Sequence, residues 1–155
     1  MQYEHDSVVD YLLRSGADPM CRTVEGSTPL HVCDNVKIAK ILIACGAQVN
    51  AVDIEGNTPL HDRMSEGETA VAETLIEQGA DVNARNGDGR TPLHVAADAG
   101  RVDMMVLLLQ RGASLHIKDD VRWWTVQYVL CNSTNFSSET LHFSSSPSRR
   151  MSRLC

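Results

Sequence analysis

The chain has 155 residues, 43% of them hydrophobic, and a formal charge of −6, which fits one domain with a core rather than two. No apolar run approaches the ~18 residues of a membrane-spanning helix, so no membrane insertion is expected, and residues 1–7 lack the pattern of a signal peptide. Because residues 122–155 contain four Arg and one Glu, a sum of +3, residues 1–121 carry −9, and such an acidic body argues against nucleic-acid binding.

The five cysteines predict free thiols in a reducing compartment. Their number is odd and no C-x-x-C pair occurs, so neither a disulfide framework nor a zinc site is indicated. We expect mostly buried thiols, no metal, no cofactor, and a location in the cytoplasm or the nucleus. The five are Cys21, Cys33, Cys45, Cys131 and Cys155.

Two short signatures recur in step along the chain. The first, T-P-L-H, begins at Thr28, Thr58 and Thr91, with offsets of 30 and 33 residues. The second begins with G-A and is spaced by 30, 33 and 33 residues, at Gly16, Gly46, Gly79 and Gly112. Self-similarity at this period predicts a solenoid of stacked units.

The residues between the two signatures predict a pair of helices in a full unit. Residues 91–112 show this pattern most fully. Thr91 can cap a helix that Pro92 begins, and Gly100 ends it. A second helix over residues 102–109 turns its apolar positions to the core, and Gly112 suits a left-handed helix end. The predicted core positions of this second helix are Met104, Met105, Leu107, Leu108 and Leu109.

The sequence resembles the ankyrin repeat family over residues 4–119. The motif T-P-L-H-x-A at Thr91, with G-A-D-V-N-A at Gly79, is specific when it recurs in register. The resemblance implies an all-α repeat solenoid of helix–turn–helix units joined by short β-hairpin loops. It also implies a non-catalytic monomer that binds another protein through its hairpin tips and the exposed face of its first helices.

In chain order, the units depart from the family pattern at both ends of residues 1–120. We expect a half repeat at 1–20 without a first helix, and a short repeat at 21–50 whose first helix is clipped by three residues near 32–35. Full repeats follow at 51–83 and 84–116. Residues 121–130 read as the degraded start of a further repeat, and residues 131–155 as a Ser-rich disordered tail.

The run His61-Asp62-Arg63 looks like catalytic machinery, but the repeat predicts a scaffold role for its histidine. Equivalent histidines in successive units are translated by about 10 Å and cannot converge on a metal. Arg63 stands where the family has a small or apolar residue, and a buried guanidinium needs a partner. We expect Arg63 to fill the gap left by the clipped helix and to pair with a carboxylate such as Asp34 or Asp62.

The resemblance places the partner-binding surface on the loops and on the adjoining first helices. An acidic array of this kind predicts a basic or amphipathic partner segment, bound more weakly as salt rises. The hairpin residues are Val24, Glu25, Ser27, Ile54, Glu55, Asn57, Asp88 and Arg90. The first-helix residues are Asp62, Ser65, Glu66, Val95 and Asp98.

Two asparagines carry a second implication of the resemblance. Asn50 and Asn83 both lie in V-N-A, eight residues after a leucine, which is similar to the substrate pattern of the asparaginyl hydroxylase that acts on this family. Asparagine is also a turn residue whose side chain bonds the backbone. For the chain as a whole, the alternatives to an adaptor are a fragment or isoform of a larger multidomain protein (an enzyme, a channel or a ubiquitin-ligase adaptor) and a small docking inhibitor.

Overall fold

The computed structural model describes residues 3–117, with side chains from residue 7 onward, and these residues form six helices and no strand. The predictions for residues 121–130 and 131–155 lie outside the described residues. The helices are α1 Tyr3–Arg14, α2 Val36–Ala44, α3 Pro59–Glu66, α4 Thr69–Glu77, α5 Pro92–Asp98 and α6 Val102–Gln110.

The helices form two layers that follow the predicted repeat. Within a unit, α3 packs on α4 and α5 packs on α6. Between units, α3 contacts α5, while α1, α2, α4 and α6 contact one another in that order. First helices therefore stack on first helices and second helices on second helices, which confirms the all-α repeat solenoid.

The core consists of the same positions in each unit. The leucine of T-P-L-H is completely buried at Leu30, Leu60 and Leu93. Four of the five positions predicted for α6 are buried, and Leu109 is half-buried against the same cluster. The 3.6-residue period thus identified the buried face of the second helix, with its edge at Leu109.

The helix boundaries lie where the local sequence predicts them. Pro92 occupies the first turn of α5 after the cap residue Thr91. Gly112 has φ 88° just beyond α6, a conformation in which any side chain on an L-residue is strained. These signals end the helices at fixed points and so keep the units in register.

The loops between units are tight turns rather than strand ladders. Two backbone bonds close each loop. In the first, Thr23 N–H donates to the carbonyl oxygen of Ser27 and Gly26 N–H to that of Thr23; in the second, Asp53 N–H donates to that of Asn57 and Gly56 N–H to that of Asp53. These bonds lie within a five-residue turn and do not continue as a ladder, so residues 3–117 contain hairpin-like turns but no strand. Gly87 N–H donates to the Glu55 carbonyl oxygen of the preceding loop at 2.8 Å.

The close approach of two loops requires glycine at Gly56. Its φ is 81°, and a Cβ atom there would lie 2.7 Å from the backbone nitrogen of Gly87. No Cβ fits at that distance without moving the backbone of the next loop. Gly56 therefore sets the spacing between the two hairpin tips.

The short repeat has the clipped first helix that its length predicts. Residues 29–32 form turns, and α2 begins directly after Asn35, whose Oδ1 accepts the N–H of Lys37 at 2.8 Å. The three described cysteines are free thiols, but the expectation that they are mostly buried was wrong. Cys33 is buried, but Cys21, in the loop between α1 and α2, and Cys45, just after the end of α2, are exposed.

Candidate protein-binding surface

The histidines of T-P-L-H have scaffold roles. Nδ1 of His61 accepts the backbone N–H of Thr58 at 3.1 Å, and Nε2 lies 3.0 Å from the Arg90 carbonyl oxygen of the next unit. Since Nδ1 accepts, Nε2 carries the proton and donates. His31 makes the same pair of contacts, to Thr28 and to the Asn57 carbonyl oxygen.

Burial keeps these histidines neutral. Desolvation lowers the pKa of His61, and it lowers the pKa of His31 in the same way. A lowered folded-state pKa means that stability falls as the pH drops below the unfolded value of about 6.5. The ring of His61 is 1% exposed, so it offers no group for chemistry at the surface.

Arg63 fills the gap beside the clipped helix. It is only 2% exposed, although it carries a charge. Its Nη2 donates to the carbonyl oxygen of His31, 2.8 Å away in the preceding unit. In a full first helix that carbonyl would accept the amide four residues on. The guanidinium therefore supplies the donor that the clipped helix lacks.

The carboxylates that meet the charge of Arg63 are not the predicted ones. Nη1 lies 2.6 Å from Oε2 of Glu66 and 3.5 Å from Oε2 of Glu68. Neither approach has hydrogen-bond geometry, so both are charge contacts. The prediction of Asp34 or Asp62 was wrong because residue 62 lies ~100° around the helix from residue 63, whereas residue 66 lies on the same face.

The predicted hairpin residues lie at the surface. Val24, Glu25, Ile54, Glu55 and Asp88 are exposed. The three residues that close the turns, Ser27, Asn57 and Arg90, are half-buried. The loops therefore present one apolar and one acidic side chain at each of the first two tips.

Side chains within the loops fix these tips. Oδ1 of Asp53 accepts the N–H of Glu55 at 2.9 Å and that of Asn57 at 2.8 Å. Nδ2 of Asn86 donates to Oδ1 of Asn57 at 2.8 Å, which ties this loop to the next one. Bonding of this kind pre-organises a surface for a partner, since little freedom is lost on binding.

Seven residues enclose an acidic cleft of about 390 Å³ between the first two hairpins and α3. Six of them belong to the predicted surface, and the seventh, Asp53, was missed. Four of the seven are carboxylates and none is a cation. The lining residues of the acidic cleft are Glu25, Ser27, Asp53, Ile54, Glu55, Asn57 and Asp62.

Asp62 is a half-buried carboxylate of the acidic cleft. The pKa of Asp62 is raised to about 6, first by burial and then by the neighbouring charge of Asp53. An unfolded aspartate has a pKa of about 3.9, so the folded state holds this proton more tightly. The contribution of Asp62 to stability is therefore greatest below pH 4 and is lost as the pH rises through 6.

The remaining predicted residues lie beside the cleft, but most of them have partners. Arg90 pairs with Asp98, and Glu66 pairs with Arg63. The hydroxyl of Ser65 donates to the Asp62 carbonyl oxygen. Val95 is half-buried and packs against the core. The structure thus brings the first two hairpins together with Asp62, while Arg90 of the third hairpin is paired with Asp98.

Asn50 and Asn83 each join their unit to the next. Oδ1 of Asn50 accepts the N–H of Asp81 at 2.9 Å, and its Nδ2 donates to the Gly79 carbonyl oxygen at 3.1 Å. Asn83 repeats the acceptor contact with Ser114 N–H at 2.8 Å. In the half repeat, Sδ of Met20 accepts from Gln48 N–H in the equivalent place.

The described residues contain neither a cluster suited to a metal ion nor a helix suited to crossing a membrane. In residues 3–117 no group of three His, Cys, Asp or Glu side chains is close enough together to hold a metal ion. Among the described helices, none combines the length and apolar character that crossing a bilayer requires. The four carboxylates of the cleft are therefore spread over a surface rather than gathered around one point.

The comparison with known families agrees with the geometry. A family profile described as ankyrin repeats in three copies matches residues 1–86 and 35–119. The chain therefore belongs to the ankyrin repeat family, whose members are generally protein-interaction modules and typically non-catalytic. No curated protein shows a significant match to the sequence.

Proposed function

We propose that the array binds a segment of another protein in the acidic cleft, and that this segment carries lysine or arginine. The observation that supports the proposal is the lining of the cleft, in which four carboxylates surround 390 Å³ without a cation. The exposed side chain of Ile54 adds an apolar contact at the same place. A basic or amphipathic segment matches both features.

The raised pKa of Asp62 supports a cationic partner. An ammonium or guanidinium group placed near Asp62 favours its charged form and removes the repulsion from Asp53. Binding then releases a proton below pH 6, so affinity falls as the pH drops through that value. The carboxylates are partly exposed, so each contact is worth about 0.2–1 kcal/mol and is screened by salt.

We propose further that the chain acts as a non-catalytic monomer in the cytoplasm or the nucleus. The three free thiols among the described cysteines support a reducing compartment. An adaptor, a part of a larger multidomain protein and a docking inhibitor would share this surface, because they differ only in the effect that binding has on the partner. The residues proposed to contact the partner are those of the predicted surface, with Asp53 added. Asn50 and Asn83 stay proposed hydroxylation sites.

The experiment is a selection of displayed peptides on the full chain. We expect the wild-type chain to enrich peptides that contain Lys or Arg near an apolar residue. The cleft variant Glu25→Gln/Glu55→Gln/Asp62→Asn should lose this enrichment. It spares Asp53, whose carboxylate holds the loop together.

A matched control removes the same charge elsewhere. Glu73, Glu77 and Asp103 are exposed on second helices, away from the lining of the acidic cleft. The variant Glu73→Gln/Glu77→Gln/Asp103→Asn should enrich the same peptides as the wild type. If the cleft variant and the control variant lose the enrichment of basic peptides equally, net charge and not the cleft attracts these peptides. The proposal would then be wrong.

A further inference from the structure

Helix α1 exposes apolar positions that are buried in the full units. Leu12 is 51% exposed, whereas its equivalents Leu42, Leu75 and Leu108 are 3%, 0% and 0% exposed. Val8 is also exposed at 53%, while the equivalent residues of α4 and α6 are at most 1% exposed. In the full units this face is covered by the first helix of the same unit, through the α3–α4 and α5–α6 contacts.

The next unit also has an uncovered surface. A groove of about 300 Å³ lies along its first turns, and Val32 on that turn is exposed. Cys21 lines the groove and is exposed, whereas Ala51 at the equivalent position is buried. The lining residues are Cys21, Arg22, Thr23, Ser27, Thr28, Pro29 and Val32.

The exposed face of α1 and this groove border the same position of the repeat, the one that a first helix occupies in the full units. Helix α3 lies between α4 of its own unit and α5 of the next, and it contacts both. Two units earlier in the chain, the segments equivalent to α4 and α5 are α1 and residues 28–32. The exposed face of α1 and the 300 Å³ groove are therefore the two sides of one position, where a first helix sits in the later units. No described residue fills it.

We propose that this position, the α1 groove, binds an amphipathic helix of a partner protein. The α1 groove is equivalent to the interface between first and second helices that the chain forms at α3–α4 and at α5–α6. Those two interfaces indicate which side chains a helix bound in the groove would present. Helices α3 and α5 each insert one fully buried leucine, Leu60 and Leu93, against the second helix. The partner helix accordingly presents a leucine-sized side chain to Leu12, is about two turns long, and has a polar outer face.

The charged groups around the α1 groove do not oppose an apolar contact. Arg14 pairs with Asp10 on α1 at 2.8 Å. Nη1 of Arg22 donates to the carbonyl oxygens of Gly26 and Val52, so it is held beside the groove floor. The α1 groove thus differs in chemistry from the acidic cleft, and its occupancy does not depend on the function proposed for that cleft.

Cys21 provides a direct test by disulfide tethering. The full chain is prepared with Cys45→Ser, Cys131→Ser and Cys155→Ser, which leaves Cys21 and the buried Cys33. The probe is a peptide of the sequence Cys-Gly-Gly followed by residues 90–101 of this chain, and the control peptide has Asp in place of Leu93. Under a glutathione buffer, retention of each peptide reports its non-covalent contact at the groove.

We expect the leucine peptide to be retained about tenfold more than the aspartate peptide, since one leucine side chain is buried. The variant Leu12→Asp should abolish this preference, and Val102→Asp, which changes an exposed apolar residue at the start of α6, should leave it unchanged. Circular dichroism confirms that each variant is folded.

Equal retention of the two peptides would overturn the proposal, as would a preference that survives Leu12→Asp. A dimer in sedimentation experiments that Leu12→Asp dissociates would also overturn it, because the occupant would then be a second copy. A several-fold rise in retention after removal of residues 118–155 would overturn it in favour of the chain's own C-terminal segment.

Discussion

Replacing Arg63 with alanine tests whether one side chain compensates for the three residues missing from the short repeat. The change removes the donor to the buried His31 carbonyl oxygen, and a charge-assisted bond of this kind is worth about 1.5–3 kcal/mol. The partners Glu66 and Glu68 are half-exposed, so their charge contacts add at most about 1 kcal/mol. With the cavity left by the stem, we expect a loss of about 3 kcal/mol in the free energy of unfolding.

The variant Arg63→Met separates packing from polar contact. Methionine keeps most of the volume of the stem but leaves the His31 carbonyl oxygen without its donor. We expect it to cost about 2 kcal/mol, less than the alanine variant by the cavity contribution. Urea unfolding of the full chain, followed by circular dichroism, measures both.

A double-mutant cycle gives the decisive result. Inserting Ala after Cys33 and Ala-Gly after Asp34 restores the length of a full first helix, so the His31 carbonyl oxygen can accept the amide four residues on. The insertion should destabilise the wild type, because the new turn competes with the guanidinium for the same space. Combined with Arg63→Ala it should recover stability, with a coupling of about 2 kcal/mol. Additive effects of the two changes would refute the reasoning.

Three more substitutions probe other contacts of the array. Asp62→Asn should raise the free energy of unfolding at pH 7 by about 1 kcal/mol and flatten its pH dependence between pH 4 and 6. The reason is that burial and Asp53 disfavour the charged form of Asp62, as its raised pKa shows. An unchanged pH profile of stability would contradict this. Asn50→Ala removes two bonds to the next unit and should cost about 2 kcal/mol in urea unfolding, with Asn50→Asp, which keeps the acceptor, losing less. Gly56→Ala should cost more than about 1 kcal/mol, because its Cβ would meet the backbone of Gly87; a gain in stability would contradict it.

The sequence predicted the repeat and its buried positions because both depend on spacing alone. T-P-L-H recurs in register, so the capping of each first helix by Thr and His and the burial of its leucine follow from one pattern. The length of the short repeat likewise predicted its clipped helix and the burial of Arg63. These features are local or periodic, and the structure confirms them.

The partner of Arg63 was predicted wrongly because adjacency in sequence was given more weight than helical geometry. The spacing from Arg63 to Glu66 is i, i+3, and that signal was present in the sequence. Asp53 was missed for a related reason. It reads as a turn residue, and only the folding of two hairpins against α3 shows that its carboxylate also lines the acidic cleft.

Exposure was the hardest property to predict from composition. Cysteine is usually buried, yet Cys21 lies in a loop and Cys45 just after a helix end, and both face solvent. The exposure of Leu12 could be predicted only from the absence of a first helix in its unit, since the residue itself matches a core position. Which hairpins enclose a cleft depends on how successive loops approach each other, and no single unit contains that information.

Titration calorimetry with the most enriched basic peptide tests the central proposal most directly. The wild-type chain, the cleft variant Glu25→Gln/Glu55→Gln/Asp62→Asn and the charge-matched control are compared at low and at high salt. We predict that the cleft variant weakens binding by about 10- to 100-fold, from three contacts of about 0.5–1 kcal/mol each, with the control within about twofold. Equal affinity for the wild type and the cleft variant, independent of salt, would contradict the account.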